Sequence, residues 1–297
     1  MPSPLASLVS RAARMSVHTI AMSVIAVSVC RGSPLRAQDV ARDSIPSYDT
    51  LTVRSRALGE ARRINVHVPQ IYCMSPKSRF PVLYMPDGGL DEDFPHVVHT
   101  VDSLIAIGAI RPVIVVGVPN TERRRDLTGP TRVASDSAIA THVGGSANFR
   151  RFLGQELIPV VDARYRTTPE RAIMGESLAG LFVVETFLRE PTMFTHYIAF
   201  DPSLWWNHGA LVDSAHALLA RLADTAAPAA RRSDENRSTV YIADSRDDIA
   251  DATARFGAAL EGAPLSEWTR TFVPRPDLTH GTIFRAMAPD ALKRALR

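Results

Sequence analysis

The feature that most constrains this chain is a serine spaced between two glycines, in the stretch Gly175-Glu176-Ser177-Leu178-Ala179-Gly180. A short apolar run at residues 172–174 precedes it, and an apolar helical pattern at residues 181–184 follows it. The spacing G-x-S-x-G between a strand and a helix is typical of a nucleophile elbow, which raises the serine hydroxyl above the edge of a sheet. Glycine is needed at both flanks because a side chain there would collide with the neighbouring strand or helix. The sequence therefore predicts a strand–turn–helix unit with Ser177 as a candidate nucleophile.

Apolar runs predict the rest of the sheet. Residues 80–85 and 113–118 read as strands buried on both faces, and the helical pattern at 94–107 between them predicts a parallel pair joined by a right-handed crossover. A hairpin at residues 47–69 is predicted to turn at Gly59-Glu60, and the polar residues 121–141 are predicted to form a long loop. The remaining predicted strands are 171–175, 197–200, 239–243 and 268–273, and the remaining predicted helices are 147–161, 177–189, 211–222, 249–260 and 280–296. About eight strands, the later ones alternating with helices, predict an α/β fold: a three-layer sandwich around a mostly parallel sheet.

Composition limits the class of protein. The 297 residues are 45% hydrophobic and 22% charged, as expected for one globular domain with a short extension. The formal charge is only +3, and the basic residues are spread along the chain. We therefore predict no nucleic-acid partner.

The first 37 residues are typical of a secretory signal peptide. Arg11 and Arg14 precede a modest apolar run at residues 20–30, and Ala37 is a small residue suited to cleavage. The run is too short to span a bilayer, so no stable membrane span is predicted. Residues 38–297 are then the mature domain, in the periplasm or secreted. A cytosolic protein with a disordered start is the alternative, and lipidation at Cys30 is disfavoured because Val29 is large.

Loss of such a leader would leave Cys73 as the single cysteine. A lone cysteine makes no intramolecular bridge and no metal cluster.

The chain order of polar residues selects a catalytic base. α/β-hydrolases place serine, acid and histidine in that order, each at the carboxyl end of a strand. His280 follows the last predicted strand and precedes the last helix, where the base belongs. His196 sits at a strand entry, His216 lies within a helix, and His208 follows two tryptophans and comes early.

The acid is expected after the predicted strand 239–243. Three aspartates lie there, and one carboxylate is enough to orient the imidazole and stabilise its cation. We rank Asp248 first, then Asp247, then Asp244. The alternative is that these residues cap the strand or the following helix.

Two backbone N–H groups are needed to form an oxyanion hole. Leu178, the residue after the nucleophile, supplies the first. Gly89 in the loop after the strand 80–85 is the best candidate for the second, although glycine and aspartate also suit an ordinary turn there. This chemistry requires no metal and no organic cofactor.

Several stretches together resemble the putative-esterase family of α/β-hydrolases, which includes enterochelin esterases, S-formylglutathione hydrolases, feruloyl esterases and mycolyltransferases. Besides the elbow, the matching stretches are Val82-Leu83-Tyr84-Met85-Pro86-Asp87-Gly88, Val115-Val116-Gly117-Val118-Pro119-Asn120-Thr121, Arg125-Asp126-Leu127-Thr128, Asp201-Pro202-Ser203-Leu204-Trp205-Trp206 and His280-Gly281. The resemblance runs from about Asp49 to the C-terminus. It implies a serine hydrolase with Ser177 as nucleophile, His280 as base and an oxyanion hole at Gly88-Gly89. The acid region 244–248 does not align cleanly, and Thr282 stands where many members have serine.

Four side chains are candidates for contact with substrate. Arg123 and Arg125 would suit an anionic group, although a solvated loop or an ion pair with Asp126 is the alternative. Trp205 and Trp206 would form the wall of an aromatic pocket, or else a packed lid at the end of a strand.

A metal site is a weaker possibility at residues 91–99, where His96 and His99 follow three acidic residues. Acidic residues before a helix more often complement its dipole, so no metal is predicted.

The function predicted from these residues is hydrolysis of a small-molecule carboxylic ester through an acyl-enzyme, with siderophore and aromatic esters as the candidate substrates. The alternatives are an acyltransferase on the same scaffold and a non-catalytic ligand-binding homologue. The intact serine, histidine and acid cluster argues against the last.

Overall fold

The computed structural model describes residues 45–225, 237–245 and 250–297. The chain divides into Met1–Leu35 and Arg36–Arg297, and every described residue belongs to the second unit. The predicted leader and two of the acid candidates, Asp247 and Asp248, lie outside the described residues. No helix within the described ranges is long and apolar enough to cross a membrane.

The described residues form one eight-stranded sheet in the order β1-β2-β4-β3-β5-β6-β7-β8. β1 pairs with β2 and β2 with β4 in antiparallel fashion, and every other neighbouring pair is parallel. This confirms the predicted α/β fold and the predicted parallel pairing of β3 with β4. The strands are β1 Asp49–Ser55, β2 Glu60–His67, β3 Phe80–Pro86, β4 Ile114–Val118, β5 Thr167–Glu176, β6 His196–Phe200, β7 Ser238–Asp244 and β8 Trp268–Pro274.

Helices connect the strands. They are α1 Ile71–Met74, α2 Phe94–Ala106, α3 Arg123–Leu127, α4 Ala134–Ala138, α5 Ser146–Phe152, α6 Ile158–Arg164, α7 Leu178–Arg189, α8 Trp206–Asp213, α9 Ala215–Thr225, α10 Ala250–Gly262 and α11 His280–Ala295, with a π-helical segment at Leu153–Leu157 between α5 and α6.

The central strands β3, β4, β6 and β7 are buried on both faces, as their continuous apolar runs predict, whereas alternate residues of β1 are exposed. Successive side chains of a strand point to opposite faces, so Ile173 packs in one core while Ala172 and Met174 pack in the other. α2 and α11 cover the face of Met174, and α5, α6, α7, α9 and α10 cover the face of Ile173. The result is the predicted three-layer sandwich.

The hairpin turn is longer than predicted. Ser55 pairs with Glu60, so the turn contains four residues, 56–59, instead of Gly59-Glu60 alone. The Glu156 carboxylate accepts hydrogen bonds from the backbone N–H groups of Arg56 and Ala57. A residue distant in sequence therefore satisfies the turn, which a local pattern does not reveal.

Two helical regions also differ from their predictions. The supposed loop 121–141 contains α3 and α4, and α3 is fixed by the buried Asp126, whose carboxylate lies 2.5 Å from Arg62. The single helix predicted over 147–161 is interrupted by the π-helical segment. Pro159 has no backbone N–H, so it cannot make the normal bond to the residue four positions earlier, which favours the wider turn at this place.

Cys73 lies in α1, which was not predicted, and it is disulfide-bonded in the structure. The expectation of a lone, unbridged cysteine was made for a chain without its leader, and it does not describe the full chain.

Candidate active site

Ser177 stands in the strained turn that a nucleophile elbow requires. It follows the last residue of β5 and precedes α7, with φ 58° and ψ −121°. Positive φ is uncommon for a residue with a Cβ, and such strain clusters at functional sites. The backbone N–H of Ser177 donates to the carbonyl of Phe200 at 3.0 Å, which fixes the turn against β6. The side chain is partly exposed at the carboxyl edge of the sheet.

The two flanking glycines are required for the steric reason predicted from the sequence. A Cβ on Gly175 would lie 2.7 Å from the Ala179 backbone, and a Cβ on Gly180 would lie 3.0 Å from the Phe200 carbonyl and the Pro202 Cα. Strand, turn and helix therefore pack with backbone against backbone at this point.

We expect Gly175→Ala to lower the free energy of unfolding by about 2–3 kcal/mol, because the added methyl meets backbone atoms that have no room to move. Urea unfolding measures the change. Gly262→Ala is the matched control, since a Cβ there has nothing within 4 Å. Equal stability of the two variants would contradict the packing argument.

His280 is the first residue of α11, and its Nδ1 lies 3.2 Å from Oδ2 of Asp201. Asp201 follows β6, has φ 39° and is 4% exposed. Its carboxylate also accepts hydrogen bonds from the backbone N–H and the hydroxyl of Ser245, each at 2.6 Å. A buried carboxylate held by two fixed donors is suited to orienting an imidazole. The predicted base thus has an acidic partner at the active edge of the sheet.

Asp201 was not among the predicted acids, because the chain-order rule directed the search past β7. Of the three predicted candidates, Asp247 and Asp248 lie outside the described residues, and Asp244 is the last residue of β7. The sequence did carry a signal for Asp201: it opens the stretch Asp201-Pro202-Ser203 directly after a buried strand that was predicted to follow the elbow helix.

Asp244 is buried, and this burial together with the nearby Asp201 carboxylate raises its pKa from 3.8 to about 7. A carboxyl group whose pKa is higher in the folded state binds its proton more tightly when folded, so the free energy of unfolding falls as pH rises from about 4 to about 7. Asp244→Asn removes that loss. We expect the free energy of unfolding of the variant to rise relative to that of the parent by about 2–3 kcal/mol between pH 5 and pH 8. Urea unfolding at each pH measures this difference. A stability difference independent of pH would contradict the raised pKa.

The other three histidines after the serine lie at different places in the fold. His196 begins β6, at the opposite end of the strand, where its ring lies between the Thr239 hydroxyl and the Glu170 carboxylate. His208 and His216 are exposed on α8 and α9. The positions of His196 and His216 agree with the reasons for which the sequence set them aside, and His208 lies in α8 just after the two tryptophans.

The candidate oxyanion donors differ in their present partners. Leu178 is the first residue of α7, and the N–H groups of a first helical turn have no acceptor within their own helix. The N–H of Gly89 instead donates to Oε2 of Glu92 at 2.6 Å. Asn120 holds the other oxygen of that carboxylate through its side-chain amide at 2.7 Å. In this conformation, therefore, the Glu92 carboxylate already accepts the Gly89 N–H that was predicted to serve the oxyanion hole.

Ser203 is a residue near the nucleophile that sequence reasoning missed. Its hydroxyl lies 3.4 Å from the Ser177 hydroxyl, and its backbone N–H donates to the Ser177 carbonyl at 3.0 Å. The side chain is buried, so it can hold the nucleophile in place.

The two candidate arginines are committed to carboxylates. Arg123 makes a bidentate contact with Asp87, through Nε at 2.7 Å and a terminal nitrogen at 2.8 Å. Arg125 pairs with Asp126 at 2.6 Å, as the alternative interpretation expected, and also with Glu60. Arg125 thus anchors the loop to β2, whereas Arg123 lies beside the residue that follows β3.

The two tryptophans have different surroundings. Trp206 is 4% exposed, and its indole N–H donates to the Gly129 carbonyl at 2.8 Å. Trp205 is 37% exposed and is the one of the pair available to a ligand.

The segment that follows the tryptophans is tied to the loop around α4. The backbone N–H of Asn207 donates to the Asp136 carboxylate at 2.8 Å, and the side-chain oxygen of Asn207 accepts the N–H of Arg132 at 3.0 Å. Asn207 itself has φ 52° and lies in the left-handed region. The two loops therefore hold each other in position.

A cavity of about 880 Å³ lies at the edge of the sheet opposite to Ser177, where its lining includes Arg111, His196, Lys293 and Arg294. No group of three or more His, Cys, Asp or Glu side chains in the described ranges is arranged to hold a metal ion. At the suggested metal segment, the ring of His96 packs edge to face on Phe284 with centroids 5.5 Å apart.

A family model described as "Putative esterase" matches residues 55–260, which is more than half of the chain. The chain belongs to this esterase family. The match begins in β1 and ends in α10, so it contains the elbow, Asp201 and the loop at Gly89, and it stops before His280.

Curated relatives of this esterase share limited identity with it. The ferri-bacillibactin esterase BesA of Bacillus subtilis is 28% identical over 184 residues, which cover 55% of this chain and 61% of BesA. The siderophore triacetylfusarinine C esterase of Aspergillus fumigatus is 31% identical over 116 residues, which cover 36% of this chain and 38% of that protein. The matches span less than two thirds of these relatives' own lengths.

Solved structures share the fold of this esterase. An IroE-like serine hydrolase from Shewanella oneidensis superposes with a TM-score of 0.72 at 22% identity, covering 83% of this chain and 79% of its own. The siderophore hydrolase EstB from Aspergillus nidulans gives 0.67 at 20% identity, covering 87% of this chain and 97% of its own. At this level of identity the likeness establishes the α/β-hydrolase fold.

Proposed function

We propose that this chain is an exported serine hydrolase that cleaves carboxylic esters of siderophores through an acyl-enzyme. The observation that carries the proposal is that Ser177, in a positive-φ turn at the end of β5, lies at the same edge of the sheet as the contact between His280 and Asp201. The elbow raises the hydroxyl, and the buried carboxylate orients the imidazole that would remove its proton.

In the proposed reaction, His280 takes the proton of Ser177 as Oγ attacks the ester carbonyl. The imidazolium then gives that proton to the departing alcohol, which leaves an acyl-serine. Water, deprotonated by His280, attacks this second ester and releases the acid, and the serine recovers its proton. Asp201 holds Nδ1 throughout.

The tetrahedral intermediate needs donors for its oxyanion. Leu178 at the first turn of α7 supplies one N–H. Gly89 supplies the second once the Glu92 carboxylate turns away from it, since the two acceptors compete for the same N–H.

The proposed substrate class comes from the relatives. The names of BesA and the Aspergillus fumigatus protein specify ferri-bacillibactin and triacetylfusarinine C, which are siderophores. Trp205 is the exposed aromatic side chain beside Ser203, where it would contact part of such a ligand.

The test is a set of substrates incubated with the purified protein: ferri-bacillibactin, ferric enterobactin, ferric triacetylfusarinine C and p-nitrophenyl esters of rising chain length. Chromatography with mass spectrometry identifies the products, and an added alcohol acceptor separates hydrolysis from acyl transfer. A fluorophosphonate probe should label Ser177. Labelling without cleavage of any siderophore would contradict the proposed substrate class, and no labelling would contradict the enzyme.

The export proposal has its own test. Cleavage after Ala37 removes Cys30, the other cysteine of the sequence, so the mature chain should begin at Gln38 and carry one titratable thiol. N-terminal sequencing and thiol titration of the protein recovered from an exporting host decide the matter. An intact leader and no titratable thiol would contradict cleavage at this position.

A further inference from the structure

Carboxylates stand in a row along the active edge of the sheet. Four neighbouring parallel strands, β3, β5, β6 and β7, each end at or directly before an acidic residue. These residues are Asp87, Glu176, Asp201 and Asp244. Neighbouring strands are about 4.8 Å apart, so the row spans about 15 Å with the nucleophile beside it.

Two further carboxylates, Glu92 and Asp93, extend this row from the loop between β3 and α2. Glu92 reaches the Gly89 N–H, which places its charge at the candidate oxyanion site. Burial, followed by the neighbouring Asp87 carboxylate, raises the pKa of Asp93 to about 6. The row and its extension therefore surround the nucleophile from the β3 side to the β7 side.

The cations near this row are already engaged or peripheral. Arg123 gives both of its contacts to Asp87, and His280 faces Asp201. Arg285, whose positive charge lowers the pKa of Asp93, is exposed on α11. Among the described residues, carboxylates consequently outnumber cations around Ser177.

Glu176 is the member of the row next to the nucleophile. Burial raises its pKa to about 7, with further increases from Asp93, Asp201 and Asp87, while His280 acts in the opposite direction. Those contributions place Glu176 within electrostatic reach of Asp87, Asp93 and Asp201. Above neutral pH it adds a negative charge directly beside the reacting serine.

We propose that this site discriminates against esters that carry negative charge near the scissile bond and acts on neutral or cationic esters. Among iron-carrying substrates, it would prefer an uncharged ferric hydroxamate ester to an anionic ferric catecholate ester. Like charges repel strongly at a partly buried site, where water screens them poorly. This inference rests on the proposed function, because it concerns the substrates of the same serine.

Three p-nitrophenyl esters of similar length test the inference: the valerate, which is neutral, the monoglutarate, which is anionic, and the 4-(trimethylammonio)butyrate, which is cationic. At pH 8 and low ionic strength we expect kcat/KM for the anionic ester to be at least about tenfold below that for the neutral ester. The cationic ester should match or exceed the neutral one. Salt at about 0.5 M should bring the three values together.

Glu176→Gln should reduce the ratio of neutral to anionic kcat/KM by about threefold or more, because it removes one repelling charge. Glu170→Gln is the matched control: it lies on the same strand, about 20 Å away at the opposite edge, and should leave the ratio unchanged. A thermal melt of each variant verifies folding.

A ratio near one in the parent, or the same ratio in Glu176→Gln as in the parent, would overturn this inference and leave the proposed function standing. Failure of all three esters, together with an unlabelled Ser177, would overturn both.

Discussion

Replacing Ser177 with alanine should lower kcat/KM for ester hydrolysis by about 10⁴–10⁶-fold and abolish fluorophosphonate labelling. The elbow places one hydroxyl at the edge of the sheet, and no covalent intermediate can form without it. Folding should be preserved, since alanine removes only the side-chain oxygen, whose one described contact is with Ser203 at 3.4 Å.

Ser203→Ala is the informative companion. It removes the hydroxyl nearest to the nucleophile but leaves the nucleophile itself, so we expect a loss of at most about 10-fold in kcat/KM. A Ser177→Ala variant that keeps more than a few per cent of parental activity would refute the assigned nucleophile. Equal losses in the two variants would mean that Ser203 has a role beyond positioning.

Asp201→Asn should reduce kcat by about 10²–10⁴-fold, because the amide can no longer stabilise the imidazolium of His280 and can impose the wrong tautomer. The pH dependence of kcat/KM should change with it, since the carboxylate favours the protonated form of the ring. Steady-state kinetics from pH 5 to pH 9 measures both effects.

The same measurement on Asp244→Asn, Asp247→Asn and Asp248→Asn shows which aspartate is the partner of His280: Asp201 after β6, or one of the three acids predicted after β7. If Asp201 is the partner, the other three variants keep kcat within about 10-fold of the parent. A loss at Asp248 that exceeds the loss at Asp201 would restore the sequence prediction and make Asp201 a supporting residue.

Much of the fold could be predicted because its signals are local. The continuous apolar runs of β3 and β4 determine burial on both faces, and the spacing of Gly175 and Gly180 around Ser177 determines the elbow. The structure departs from the predictions where residues distant in sequence determine the local conformation. Glu156 accepts a hydrogen bond from the backbone of the hairpin turn, and Arg62 anchors the α3 region through its ion pair with Asp126.

The candidate site was predictable to a similar degree. Ser177 and His280 follow from motif and chain order, and the structure places the histidine beside an acid at the same edge. Which acid faces a histidine depends on how neighbouring strands align, and Asp201 follows a strand that the chain-order rule did not consider. Whether a backbone N–H is already occupied, as at Gly89, also depends on a tertiary contact.

The tie between Asn207 and the α4 loop has a consequence for the family as a whole. Asp136 is buried and accepts from the Asn207 N–H, while the Asn207 side chain accepts from Arg132. A substitution on either side leaves a polar group without its partner, which costs more than the bond itself contributes. Each bond joins a side-chain acceptor of one loop to a backbone N–H of the other, so positions 136 and 207 should each keep a short side chain with an acceptor oxygen when aligned homologues are compared.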